Sequence, residues 1–437
     1  VSALTAYAEA VRRADPYRVN GRVEEAIGLV LAGRGPEAEV GELCGIEVRR
    51  DRSLRAEVVG FKEGRTLLMP LGELEGARPG CRVVPTGEPL LAPCGDALLG
   101  RVLDGLGRPL DEEPLPAAVA WRSVVSAPPQ PLRRRRITEQ LALGVRVLDM
   151  LVPCGRGQRL GLFAGSGVGK SSLLGMIARS TEADVNVIAL VGERGREVRD
   201  FIERDLGPDG LARSVVVVAT SDEPALVRIK AALLATTVAE HFREQGRDVL
   251  LLMDSLTRVA TAQREVGLTV GEPPSTRGYT PSVFALLPRL LERAGTDESG
   301  SITGLYTVLV EGDDMNEPVA DASRAILDGH VALSRSLAHR GHYPAVDVLA
   351  SVSRLETELQ EPDVRAAARG FREVLAAYRD KEDFISIGAY EPGSDPVTDR
   401  AIALKPALDA FARQELDEPA PLAESRASLL ELLGERP

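Results

Sequence analysis

Aromatic residues are scarce. Phe, Tyr and Trp make up 4% of the 437 residues, and Trp121 is the single tryptophan. A protein that stacks single-stranded bases on rows of aromatic rings has little to build with here. Cysteine is rarer still. Cys44, Cys81, Cys94 and Cys154 lie far apart and none forms a CxxC pair, which argues against a zinc site and for reduced thiols in a cytosolic protein. No apolar run approaches the roughly 18 residues of a membrane span. No basic-then-apolar leader opens the sequence, although it begins at Val1 rather than Met, which suggests that further sequence precedes it. Positive charge is not in excess either. Lys and Arg number 53 against 65 Asp and Glu, a net charge of −12. Proteins that grip nucleic acid over a whole face are usually basic, so only local basic patches remain.

What is present is ordinary for a soluble globular chain: 44% hydrophobic and 27% charged residues, which excludes disorder. At about 150 residues per domain the length suggests about three domains. Residues 1–19 read as an N-terminal helical segment, with Leu4, Tyr7, Ala8 and Val11 on one face. It docks on a partner or packs on its own domain. Residues 20–88 carry short β-rich runs (Ile46–Val48, Ala56–Phe61, Arg65–Met69, Arg82–Pro85) between Gly, Pro and Asp turns. That texture predicts a small barrel or sandwich.

Residues 95–150 hold glycine turns, a Pro-rich stretch (Pro128, Pro129, Pro131) and Arg133–Arg136. Four arginines could bind phosphate or nucleic acid, but a solvated linker is commoner for so short a run. From 150 to 350 apolar runs (Leu160–Ala164, Val185–Val191, Ser214–Ala219, Val249–Met253, Thr303–Val310) alternate with helical stretches such as Ser171–Arg179 and Glu223–Gln245. This predicts an α/β domain with a mostly parallel sheet covered by helices. Beyond 355 the chain reads as helical, with Val364–Asp380, Pro396–Glu415 and Glu424–Leu433 the main candidates.

The strongest chemical signal is Ala164-Gly165-Ser166-Gly167-Val168-Gly169-Lys170-Ser171. It follows an apolar strand and opens a helix starting near Ser172, the context a phosphate-binding loop requires. The glycines let several N–H groups converge on phosphate oxygens, and the helix N-terminus adds partial positive charge. Lys170 would meet the β- and γ-phosphates and Ser171 would place its hydroxyl on Mg²⁺. Ala164 stands where the P-loop pattern has its first Gly.

Asp254 ends the apolar run Val249–Met253. A carboxylate there fits a Walker-B Asp that holds the Mg²⁺ shell through water. Hydrolysis also needs a group that orients the attacking water. Glu193, just past the strand ending at Val191, is the candidate, because ligands bind outside the carboxyl ends of such strands. The alternative is a solvated acid paired with Arg194, and Glu197 is the fallback base.

Further segments carry a family resemblance. Pro153-Cys154-Gly155-Arg156-Gly157-Gln158-Arg159 leads into the loop. Downstream follow Glu311-Gly312-Asp313-Asp314-Met315-Asn316-Glu317-Pro318, Leu327-Asp328-Gly329-His330 and Gly341-His342-Tyr343-Pro344-Ala345-Val346-Asp347. Together these resemble the export ATPases of type III secretion systems, relatives of the catalytic subunit of the rotary ATP synthase. The likeness runs from about residue 20 to 437. Gly165–Gly169 and Asp347–Arg354 are similar to the flagellar branch.

The resemblance implies a RecA-like core over 89–355, an N-terminal β-barrel over 20–88 and a C-terminal helical domain over 356–437. It implies Mg²⁺-dependent ATP hydrolysis that energises protein export. Glu193 matches the catalytic glutamate, Arg258 a γ-phosphate-contacting arginine and Tyr343 the tyrosine stacked on adenine. Arg354 matches an arginine finger offered to the neighbouring subunit, which implies a homohexameric ring. The blander alternatives are a surface ion pair for Arg354, a core aromatic for Tyr343 and a turn cap for Arg258.

Gly271–Phe284 is similar to the family's pore-facing loop, with Thr280 where Pro is usual, and Glu356 stands where Met is common. The implied partners are a stator-type regulator on the N-terminal region, a central-stalk protein, export chaperone–substrate complexes and the membrane export gate. The implied location is the cytoplasm, peripheral to the inner membrane. Competing readings are a noncatalytic nucleotide-binding ring subunit, which would lack Glu193, a rotary synthase subunit and a hexameric nucleic-acid translocase. A translocase would need a basic or aromatic single-strand site, and residues 20–88 offer only Phe61 as an aromatic, with Tyr17 nearby.

Overall fold

The computed structural model describes residues 19–111, 113–310 and 314–433. The helix expected within residues 1–19 and the Glu311–Asp313 part of one motif lie outside them.

Six antiparallel strands form a closed barrel: β1 (Gly21–Ile27), β2 (Val30–Arg34), β3 (Glu42–Arg49), β4 (Arg52–Lys62), β5 (Arg65–Pro70) and β6 (Arg82–Pro89), in the order β1-β2-β5-β4-β3-β6. The Gly21↔Val83 pairing closes it. Val23, Leu31, Ile46, Val58, Leu68 and Val83 fill its interior. The β-rich runs of the sequence mark β3 to β6. Strands β1 and β2 have no such run, because β1 buries only Gly21 and Val23 and a register shift follows Val23.

The next segment is less of a linker than its composition suggests. β7 (Leu91–Cys94) pairs with β9 (Ala120–Ser123), and β8 (Val102–Asp104) joins the edge of the core sheet. The arginine run is neither a free linker nor an open anion patch. Arg134 donates to the carbonyls of Ala294 (2.8 Å) and Glu292, and Arg135 to that of Asp297 (3.0 Å).

The core sheet adds β10 (Arg159–Ala164), β11 (Val185–Val191), β12 (Ser214–Ala219), β13 (Asp248–Asp254), β14 (Gly295–Thr296), β15 (Ser301–Leu309), β16 (Gly329–Ala332) and β17 (Val352–Ser353). Its order is β17-β16-β10-β15-β13-β11-β12-β8, with β14 paired to β15. The β16–β17 and β14–β15 pairs are antiparallel and the others parallel. Every residue of β11 and β12 is buried. Helices cover both faces, which is why these strands read as unbroken apolar runs rather than alternations. Helices Lys170–Ser180 and Ala225–Glu244 extend close to their expected ranges. A π-helical turn, Phe201–Leu206, follows β11 and has no signature in the sequence.

The C-terminal helices are Pro362–Ser386, Pro396–Ala412 and Leu422–Leu433. The first two open on a proline, whose missing N–H costs nothing at that position. Phe371 and Phe411 meet with ring centroids 5.8 Å apart and join one apolar cluster with the core helix Arg146–Leu151. All four cysteines are buried and free. Burial pushes the Cys44 and Cys94 thiols up to about 12, so neither is a nucleophile at neutral pH. Among the described residues no helix is long and apolar enough to cross a membrane.

One buried pair is fully satisfied. Arg293 donates to both carboxylate oxygens of Glu240 (2.8 and 2.7 Å), to Thr237 Oγ1 (2.9 Å) and to the Val124 carbonyl (3.0 Å). Removing one partner strands a buried charge, which costs about 3–5 kcal/mol. Glu240→Ala should therefore lower the thermal midpoint strongly. Arg426→Ala, which breaks a half-exposed pair with Asp363, should cost no more than about 1 kcal/mol. Thermal unfolding of the two variants side by side checks the contrast.

Candidate nucleotide-binding site

Strand β10 ends at Ala164, which pairs with Leu309. Its backbone is extended, so the position that departs from the P-loop pattern accepts a Cβ. The chain then turns through Gly167 and Gly169, whose φ values of +76° and +84° suit glycine and few other residues. Gly169 caps the helix that starts at Lys170. A cavity of about 780 Å³ opens above this loop. It is lined by Gly165, Ser166, Gly167, Val168, Gly169, Lys170, Ser171 and Ser172. Glu193 and Glu197, which follow β11, and Arg258, which follows β13, join them, as does Tyr343 from a loop after the helix Arg335–His339. The site thus sits at the carboxyl ends of parallel strands.

Three charges meet at its floor. Lys170 Nζ lies 2.5 Å from Asp254 Oδ1 and 3.4 Å from Glu193 Oε1. Thr307 Oγ1 donates to the same Asp254 oxygen at 2.7 Å and fixes that carboxylate. Burial opposes the Lys170 ammonium, but Asp254 and Glu193 outweigh it and hold its pKa above the ordinary range. Burial, helped by the Asp254 charge, pushes Glu193 up to about 7. Burial also acts to raise Glu197, but hydrogen bonds with Glu193 and Arg194 prevail and keep it low. Arg194 pairs with Glu197 at 3.1 Å, which leaves Glu193 to the cavity and removes the reading of Glu193 as Arg194's partner.

Gly192 makes room for Arg258. At φ +76°, a Cβ on Gly192 would stand 2.8 Å from Arg258 Cβ and Cγ. The Arg258 backbone N–H donates to Ser255 Oγ at 3.3 Å and so caps its helix, while the side chain lines the cavity. Tyr343 is 45% exposed, so it is not a core aromatic. Its ring stands against Gly169, where a Cβ would come within 3.2 Å.

Arg354 is the expected site residue that neither lines this cavity nor bonds to a residue lining it. It is exposed just past edge strand β17, and its guanidinium donates to the Arg324 carbonyl at 3.1 Å. In turn, the sequence reading missed Arg413, Gln414, Glu415 and Leu416, which line the cavity from the C-terminal domain. Gln414 donates its backbone N–H to the Tyr343 carbonyl at 3.0 Å. Its side chain accepts from the Arg146 N–H and donates to the carbonyls of Gly144 and Glu418. These residues follow a helix end and carry no motif.

The donor set also suits a divalent cation held jointly with phosphate. Among the described residues no cluster of three or more His, Cys, Asp or Glu could hold a metal alone. One hydroxyl (Ser171) and one carboxylate (Asp254) beside a phosphate cradle match Mg²⁺, which keeps waters and uses substrate oxygens.

Comparison with known proteins agrees with this geometry. Residues 23–87 match the beta-barrel domain of the ATP synthase alpha/beta family, and residues 144–353 its nucleotide-binding domain. Residues 360–431 match the T3SS EscN ATPase C-terminal domain. The flagellum-specific ATP synthase of Bacillus subtilis (strain 168) is 54% identical over 428 residues, 98% of each chain. The chain belongs to the flagellar and type III secretion ATPase family. That of Treponema pallidum (strain Nichols) is 53% identical over 99% of this chain and 97% of its own. The type 3 secretion system ATPase of Xanthomonas euvesicatoria is 52% identical over 91% of this chain and 90% of its own. Among solved structures, the assembled ATPase EscN of enteropathogenic E. coli superposes with a TM-score of 0.90. It is 43% identical and covers 94% of this chain and all of its own. EscN in complex with its central stalk EscO gives a TM-score of 0.88 at 42% identity, with the same coverage. The chain is thus a P-loop ATPase, built as a barrel, a RecA-like core and a helical C-terminal domain.

A base must be ionised to accept a proton, so a carboxyl at about 7 predicts the sign of the pH dependence. The ratio kcat/KM, which reports the free enzyme, should rise with pH and level off above about 7. A pH profile between 5.5 and 8.5 checks this. Gly192→Ala, which pushes on the Arg258 stem, should lower turnover by roughly 10–100-fold.

Proposed function

We propose that this chain hydrolyses Mg²⁺-bound ATP to energise protein export by the flagellar type III apparatus, in a homohexameric ring whose sites complete one another. The observation that carries the proposal is the triangle of Lys170, Asp254 and Glu193 above a glycine loop. Loop N–H groups and Lys170 hold the β- and γ-phosphates. Ser171 and Asp254 would hold Mg²⁺, which neutralises phosphate charge when bound. Glu193 orients a water. As the water oxygen bonds to the γ-phosphorus, the bond from that phosphorus to the oxygen shared with the β-phosphate breaks and one proton passes to the Glu193 carboxylate. Arg258 stabilises the γ-phosphate oxygens, and Tyr343 offers its exposed ring to adenine. Arg354, set apart from its own chain's cavity, serves the nucleotide of the next copy.

The chain divides functionally at 20–88, 89–355 and 356–437, with residues 1–19 as the binding segment for a stator-type regulator. A central stalk meets the ring, as EscO meets EscN, and chaperone–substrate complexes and the membrane export gate are its other partners. The enzyme is cytoplasmic and peripheral to the inner membrane. The flagellar assignment is supported by the Gly165–Gly169 and Asp347–Arg354 stretches and by relatives at 54 and 53% identity. Virulence-type export is the second reading, favoured by a relative at 52%.

Glu193→Gln should reduce turnover by roughly 10²–10⁴-fold while nucleotide still binds. Arg354→Ala should reduce it by roughly 10³–10⁵-fold. Specific activity should rise with protein concentration. Mixing Arg354→Ala with Lys170→Ala chains should restore part of the turnover, because an intact Lys170 site then meets an intact Arg354 neighbour. Full activity of Glu193→Gln would refute the hydrolytic assignment. Concentration-independent activity of a monomer would refute the ring.

A further inference from the structure

A second cavity, of about 340 Å³, lies around Arg354 and away from the chain's own nucleotide site. Arg354, Glu356, Thr357, Arg365, Arg369 and Arg372 line it. The three arginines at 365, 369 and 372 recur at i, i+4 and i+7, so the helix Pro362–Ser386 presents them on one face.

Their charges are unequally compensated. Arg372 makes a two-pronged pair with Glu356 at 2.9 and 3.0 Å and also donates to the Leu151 carbonyl. That uses the one carboxylate of the cavity. Arg354 donates only to a carbonyl. Arg365 has a buried Nε without a hydrogen-bond partner, and among the described residues neither Arg365 nor Arg369 pairs with a carboxylate. Three guanidinium groups thus share one cavity without a counter-charge. Arg365 falls in addition at the positive end of its helix, where a cation is disfavoured. Like charges gathered this way lower stability unless an anion from outside meets them. Guanidinium forks match phosphate oxygens in pairs.

We propose that Arg365 and Arg369 form, with Arg354, a three-cation phosphate site that receives the phosphates of the nucleotide bound in the neighbouring copy. The Glu356–Arg372 pair ties the Arg354 segment to the helix that carries the other two. This rests on the reading of Arg354 as acting across the ring, and it extends the contact from one arginine to a group that includes the C-terminal domain.

The test uses the full chain. Arg365→Ala/Arg369→Ala should lower turnover at least tenfold while each chain binds a fluorescent ATP analogue as before. The charge-conserving Arg365→Lys/Arg369→Lys pair should recover part of the loss. Mixing the alanine double variant with Lys170→Ala chains should restore turnover, because the defective cavity then faces a site that is already dead. Arg354→Ala mixed with Lys170→Ala serves as the control. Rescue of the control without rescue of the double variant would overturn the proposal and leave the finger reading intact. Rescue of neither would overturn both. Unrescued activity together with lost inhibition by inorganic phosphate would overturn it in favour of a site for free phosphate.

Discussion

One ammonium organises the centre of this molecule. Lys170 Nζ begins a helix after β10, yet its partners Asp254 and Glu193 arrive from the ends of β13 and β11. Three separate stretches of chain can converge on one point because the intervening sheet is parallel and places all strand ends on one edge. Burial strengthens each Coulomb interaction there. Burial first and the Asp254 charge second raise Glu193, and Lys170 only partly offsets them, so this carboxyl stays close to its protonation midpoint at neutral pH. The acid–base character of the site follows from this imbalance rather than from any single residue.

The rest of the fold keeps that edge rigid. Thr307 fixes Asp254, Gly192 leaves space for the Arg258 stem, and Arg293 anchors the helix Ala225–Glu244 through Glu240. The barrel is joined to the same core through Lys230 and Glu57, 2.5 Å apart and nearly sealed from solvent. Burial pushes the Glu57 carboxyl up while Lys230 pulls it down, and burial prevails.

How far the sequence announces this structure depends on the kind of order involved. The core strands are legible because burial on both faces writes them as unbroken apolar runs, as in Val185–Val191. The glycine loop is legible because its backbone demands positive φ at Gly167 and Gly169. The first barrel strands are not, since β1 leaves Glu24 through Ile27 exposed and so lacks alternation. Arg134 and Arg135 look solvated by composition, while their partners are backbone carbonyls of Glu292, Ala294 and Asp297, which no local pattern encodes. Arg413 to Leu416 reach the cavity only through tertiary packing, and their types carry no chemical signature. Arg354 is legible by resemblance, but its distance from its own chain's site is a property of the fold.

The link between Gln414 and Tyr343 has a mechanical meaning. The backbone N–H of a C-terminal residue holds the carbonyl of the tyrosine that walls the nucleotide cavity, and the Gln414 side chain is locked onto Gly144, Arg146 and Glu418. The wall of the cavity and the root of the helical domain are therefore joined by direct hydrogen bonds. Coupling of this sort is reciprocal: a displacement of the helical domain is passed to the tyrosine wall, and a displacement of the wall is passed back to the same degree.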